Sequence, residues 1–262
     1  MQLVISWFLS FIVALAPPDR RQHLPAARES TEEASARYED ISKDVLEVVY
    51  DRSNPSIFKG SDGRAKTAAL VLSVMWFESQ FRKDVDFGVG SQSRGDHGKS
   101  WCLMQIQTGS GRTWSWNTAK KRFAVPTDPP WDVVAGWTGE ELVNDRKKCV
   151  LAGLRIMKMS FDACASMPVG ERLRVYASGS CNRGAKESNH RVGLAMRWYA
   201  AHPAPAADDT ILAELDGEQE APEVDPGYPV ILPNGMAVAL ASHGHRQRSS
   251  APVVDFLLPN SL

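Results

Sequence analysis

Residues 68–77, AALVLSVMWF, constrain this chain more than any other stretch, because nearly every position is apolar and neither glycine nor proline interrupts them. A surface helix carries one apolar stripe, whereas a helix that is apolar on all sides is stable only when other elements enclose it. The run therefore predicts a helix over about 64–81 that is buried almost all round. Other segments read as helical too. Thr31, Glu32 and Glu33 suit a helix start, and Ile41, Val45, Val48 and Val49 follow at helical spacing until the turn-rich Ser53-Asn54-Pro55. Thr138-Gly139-Glu140-Glu141 has the form of a capping box and predicts a long helix with Val150, Leu154, Met157 and Phe161 on one stripe. Shorter helices are expected near 169–176 and 188–201. The polar, Gly-rich stretch 87–100 reads as a loop, and Pro126, Pro129 and Pro130 break up the region before Thr138. There is no internal repeat and no run of alternating strands. The expected fold class is mainly α.

Thirty Lys plus Arg stand against 31 Asp plus Glu in 262 residues, a net charge of −1 that gives no basis for a nucleic-acid partner. No stretch reaches the roughly 18–20 apolar residues of a spanning helix, which excludes a multi-pass membrane protein. Residues 3–16 are uncharged and nearly all apolar, about the length of a signal-peptide core, with a small-x-small pattern at Ala14-Leu15-Ala16. Against cleavage there stand Pro17 and the absence of Lys or Arg in Met1-Gln2. Residues 1–16 are expected to be a signal peptide or an N-terminal membrane anchor, and 17–29 a linker. The helical domain is expected over 30–202. Residues 203–262, rich in Pro and Ala with an acidic run, read as a low-complexity, disordered tail.

Cys149 and Cys164 fall on one predicted helix, about 15 residues and so roughly 22 Å apart, too far for a disulfide. Two connectivities remain, and Cys102–Cys149 with Cys164–Cys181 is favoured because the second pair closes a short loop between successive helices. Neither a C-x-x-C spacing nor a histidine cluster accompanies them, so no metal site is expected. Free buried cysteines are the alternative, and export would weaken it.

Glu78 follows Met75 by three residues and Val71 by seven, so it continues an apolar face. A carboxyl partly removed from water holds its proton to higher pH, as a general acid acting on a glycosidic oxygen must. Position alone equally allows a glutamate whose head reaches water at the helix end.

Three short motifs decide between these readings. Glu78-Ser79-Gln80-Phe81, Leu103-Met104-Gln105-Ile106 and Tyr176-Ala177-Ser178-Gly179 occur in that order. They resemble the E-S-x-F, G-L-M-Q-I and Y-N-A-G signatures of the lytic transglycosylases of the lysozyme-like superfamily, over about residues 67–197. The resemblance implies a goose-type lysozyme/transglycosylase helical domain with irregular loops. It implies that Glu78 is the single catalytic acid and base, that Ser79 orients the sugar and the carboxyl, that Gln105 and Met104 belong to the substrate groove, and that Tyr176 positions Glu78. Cys102 stands where the family has Gly, and Ala177 where it has Asn.

The implied reaction breaks the β-1,4 bond between N-acetylmuramic acid and N-acetylglucosamine and leaves a 1,6-anhydro end, with no cofactor. A hydrolase would use a second carboxylate at about 5–9.5 Å, and Asp84, Asp86 and Asp96 are the candidates near in sequence. A glycan-binding or structural domain without catalysis is the rival of a different class. Trp101, Trp114, Trp116, Trp131 and Trp137 border the motifs, where their rings are suited to stack on sugars, while Trp76 reads as core. The expected partner is peptidoglycan, met by a monomer that is secreted or periplasmic, of bacterial or phage origin. Arg155, Lys158, Lys120, Lys121 and Arg122 read as solvated charges.

Overall fold

The structure is a computed structural model that describes residues 1–23, 28–109, 112–113, 115–117, 122–124, 137–219, 230–231 and 237–238. The chain divides into two units, Met1–Gln219 and Glu220–Leu262. The helices of the first unit are α1 (Gln2–Leu15), α2 (Thr31–Tyr50), α3 (Gly63–Ser79), α4 (Lys83–Asp86), α5 (Gly139–Asn144), α6 (Arg146–Ala163), α7 (Arg174–Ser178), α8 (Ala185–Ala201) and α9 (Asp208–Gln219). Short strands lie between α4 and α5. β1 (Ser100–Trp101), β2 (Ile106–Gly109) and β3 (Arg112–Thr113) form one antiparallel sheet, and β4 (Ser115–Asn117) pairs with β5 (Arg122–Ala124). In the second unit β6 (Val230–Ile231) pairs with β7 (Ala237–Val238).

The apolar run does form the central helix. Residues 67–75 of α3 are buried without exception, and α1, α2, α6, α8 and α9 all pack on it. Its N-cap, Asp62, makes no side-chain cap bond. The cap comes from α9 instead: the Asp208 carboxylate accepts the Arg64 and Ala65 amides at 2.7 and 3.1 Å, and the Tyr50 hydroxyl at 3.0 Å. A carboxylate at a helix N-terminus meets both the unpaired amides and the positive end of the helix dipole. Ile211 and Leu212 beside it are buried. Residues 208–219, assigned to the tail by their acidic composition, therefore belong to the helical unit, and the tail boundary moves from 202/203 to 219/220.

The apolar N-terminal stretch is the other departure. As α1 it buries Val4, Ile5, Trp7, Phe8, Phe11 and Ile12, and packs on α2 and α3. Phe11 stacks on Trp198 of α8 with ring centroids 4.6 Å apart, and the Trp7 indole donates to the His202 carbonyl at 2.8 Å. The terminal amine pairs with Glu214 on α9. Read as an export segment, 1–16 here supplies core to the helical unit. The linker 17–29 is also partly built in, since Arg21 and Glu29 are buried.

The expected long helix is two. Thr138 and Glu141 form the capping box, but α5 ends at Asn144, and Asp145 accepts the Lys147 amide at 3.1 Å to start α6. Both favoured disulfides are present. Cys102–Cys149 ties the turn before β2 to α6, and Cys164–Cys181 ties the end of α6 to the turn after α7. Among the described residues no helix is long and apolar enough to cross a membrane.

Candidate active site

Glu78 sits in the last turn of the central helix, where α3 leaves the core. The chain then turns sharply, with Gln80 and Phe81 both at φ 52°. Left-handed backbone is strained for residues with a Cβ, so something must hold it. A buried ion-pair network does so. The Arg37 guanidinium donates to the Phe81 carbonyl at 2.8 Å, to Glu29 at 3.0 Å and to Asp86 at 3.3 Å. Arg146 of α6 grips both oxygens of Asp86 at 2.9 Å and reaches Asp44 at 2.6 Å. The segment after Glu78 is thereby fixed to α2 and α6.

A cleft of about 660 Å³ opens beside Glu78, lined also by Asp96, Gln105, Tyr176, Ala177 and Arg191. The three motifs thus meet, although about 100 residues separate the first from the last. Gln105 is committed to structure. Its carbonyl oxygen accepts the Gly95 amide at 2.9 Å, and its amide donates to the Cys102 carbonyl at 3.1 Å. A Cβ on Gly95 would lie 2.6 Å from that oxygen, so a side chain there would push the Gln105 amide out of this position. The Tyr176 hydroxyl donates to the Met104 carbonyl at 2.6 Å, and burial holds it well above its ordinary pKa, so it stays a neutral donor. Met104 places its backbone there and buries its side chain against Gly153 of α6.

Ser79 does not reach the cleft. It is buried, its hydroxyl donates to the Met75 carbonyl at 2.7 Å, and it accepts the Phe81 amide at 3.3 Å. Its place is in the turn that ends α3, which corrects the expected contact with sugar. Cys102 has φ 59°. The backbone there is the kind that favours glycine, and the bond to Cys149 anchors it.

The electrostatics separate two carboxyls. Burial raises the pKa of Glu78; the Arg191 guanidinium opposes this, and the charge of Asp96 adds to it. Arg191 donates to Glu78 Oε1 from Nε at 3.1 Å and from Nη2 at 2.7 Å. Asp96 is held below its ordinary value by Gln107 and Ser100, each donating at 2.7 Å. Of the other sequence candidates for a second carboxylate, Asp84 is buried against Arg82 and Asp86 is in the ion-pair network.

Arg191 escaped the sequence reading. A signal existed: Ser188, Val192 and Ala195 are the buried positions of α8, and Arg191 stands on their stripe at helical spacing. The tryptophans contribute less than expected. Trp101 lies over Gly139 with the Arg94 guanidinium 3.7 Å from its ring centroid, and Trp137 lies near Lys148. Trp76 packs toward Phe81. None of these three lines the cleft, and the side chains of Trp114, Trp116 and Trp131 lie outside the described residues. Arg155 is not simply solvated, since it donates to Asn54 at 3.1 Å; Lys158 pairs with Asp162 on the same helix; Lys120, Lys121 and the side chain of Arg122 lie outside the described residues.

Comparison with protein-family models, curated proteins and solved structures finds no match to this chain.

Proposed function

We propose that this chain cleaves peptidoglycan glycan strands as a lytic transglycosylase, with Glu78 as the acid and base. One observation carries the reading: a carboxyl at the end of a core helix lines a large cleft and has its pKa raised chiefly by burial. A raised pKa is the direction in which a carboxyl must move to hold the proton it gives to a leaving glycosidic oxygen. Glu78 gives its proton to the oxygen between N-acetylmuramic acid and N-acetylglucosamine as oxocarbenium character develops, and the substrate's N-acetyl group supports the positive centre. The resulting carboxylate takes the proton of the muramic 6-hydroxyl, which closes on the anomeric carbon to give the 1,6-anhydro end. In this reaction Gln105 and Tyr176 act by holding the cleft walls, and Arg37 by fixing the backbone behind the acid.

Asp96 favours a second reading, muramidase hydrolysis. A carboxyl with raised pKa beside one with lowered pKa is the arrangement that separates a general acid from an ionised partner. The two disulfides fit an oxidising compartment outside the cytoplasm, as expected for an enzyme acting on cell wall. Mass spectrometry of products from purified cell walls tests the assignment. Anhydro-muropeptides support the transglycosylase, reducing ends support hydrolysis through Asp96, and an absence of products refutes catalysis.

A further inference from the structure

The reaction above leaves Arg191 without a role, although it touches the acid. It projects from the second turn of α8 and lines the same cleft as Glu78. Two of its nitrogens donate to the one oxygen Oε1, and among the described residues Oε2 has no hydrogen-bond partner. Its remaining contacts are weaker anchors: Nη1 donates to the Glu187 carbonyl at 3.1 Å, and the guanidinium lies 5.4 Å from the Phe77 ring centroid. The backbone of Arg191 is held separately, by the Ser73 hydroxyl at 2.7 Å. The side chain can therefore leave Glu78 without displacing α8.

This pairing conflicts with acid catalysis. A guanidinium bonded to a carboxylate favours the ionised form, whereas the acid must carry a proton when substrate is in place. Neutral sugar hydroxyls compete poorly with a carboxylate for a guanidinium, but a second carboxylate competes on equal terms and can do so bidentately. The strand assigned above carries such groups, as the lactyl carboxylate of muramic acid where the stem peptide is absent and as the stem's own carboxylates where it is present. We infer that Arg191 is the receptor for a carboxylate on the glycan strand, and that its transfer from Glu78 to that carboxylate arms the acid.

Once released, the Glu78 carboxylate is protonated by hydronium or buffer acid from the solvent. Burial and the Asp96 charge then hold that proton, with Tyr176 neutral on the α7 side; Arg191 and Asp96 are the charged groups that act on Glu78, and Glu78 and Arg191 in turn act on Tyr176. Substrate charge thereby decides when the acid is active. The inference rests on the proposed glycan site, and it predicts selectivity for carboxylate-bearing strands over neutral N-acetylglucosamine oligomers.

The test compares kcat/KM on three substrates: neutral β-1,4 N-acetylglucosamine oligomers, stem-free strands carrying lactyl carboxylates, and stem-bearing strands. Wild-type protein should favour a carboxylated substrate by about 10- to 100-fold, the range of one charge-assisted hydrogen bond. Preference for stem-free strands identifies the lactyl group, and preference for stem-bearing strands alone identifies the peptide. Arg191→Ala should abolish the preference and move the alkaline limb of the pH profile on neutral oligomers upward by about 1 unit or more. Arg191→Lys should restore part of the preference. Equal wild-type rates on neutral and carboxylated strands overturn the inference, as does an Arg191→Ala variant that slows both alike with its pH limb unmoved. If no substrate is cut, the proposed function fails, and the receptor is judged by carboxyl NMR of Glu78. Added N-acetylmuramic acid should then raise its titration midpoint and N-acetylglucosamine should not; equal or absent shifts overturn the receptor as well.

Discussion

Phe11→Ala probes whether the first helix is core or an appendage. The ring has no solvent exposure, stacks on Trp198 at an interplanar angle of 5°, and lies in the cluster that encloses α3. Removing a fully buried phenylalanine loses its transfer free energy and leaves a cavity, together about 3–5 kcal/mol. For a unit of this size the urea midpoint should fall by about 1–2 M at an unchanged slope, and Tm by about 6–20 °C. Leu3, on the same helix, is 72% exposed. Leu3→Ala should leave the midpoint within about 0.5 kcal/mol of wild type. Far-UV circular dichroism during urea titration of the three proteins is sufficient. If Phe11→Ala is no more disruptive than Leu3→Ala, α1 does not contribute to the core and the account of the shell around α3 is wrong.

Other outcomes follow from the same geometry. Arg37→Met leaves the Glu29 carboxylate buried without its partner and should cost about 3–5 kcal/mol in urea unfolding; adding Glu29→Gln should recover a large part of that loss, and no recovery would show that the pair is not the cause. Replacing Cys102 and Cys149 by Ser frees a loop spanning 47 residues and should cost about 2–4 kcal/mol; cleavage should weaken as well, because the turn carrying Gln105 loosens, and unchanged stability and activity would contradict that link. The sign of the pH effect at Asp96 is fixed by charge. Its carboxylate disfavours ionisation of Glu78, so Asp96→Asn should lower the Glu78 pKa and move the alkaline limb of kcat/KM to lower pH, the opposite of Arg191→Ala; an upward shift would refute the electrostatic assignment.

Much of the scaffold was legible because its signals are local. The apolar run of α3, the stripe of α2 and the spacing of the cysteines each express one physical constraint within a few residues. What escaped depends on partners distant in sequence. A short apolar helix has the same composition whether it awaits a translocon or a protein core, and the partners that decide α1 include Trp198, nearly 190 residues away from Phe11. The acidic start of α9 reads as solvated until Asp208 is seen to cap α3. The break between α5 and α6 was hidden because Asp145 caps the second helix without interrupting the apolar stripe.

The site shows the same division. Glu78 and the order of the three motifs were readable, but the work of each side chain was not. Ser79 turns inward because the helix end leaves its hydroxyl beside the Met75 carbonyl, and Gln105 spends its amide on the loop that closes the cleft. Arg191 has no motif of its own, only a charged side chain on a buried stripe.

The whole proposed reaction depends on Glu78 being the acid that breaks the strand. Release of soluble fragments from purified cell walls by wild-type and Glu78→Gln proteins, with co-sedimentation measured in parallel, tests it most directly. Glu78→Gln should still sediment with the walls but release no fragments, and release at the wild-type rate would refute the assignment of the acid.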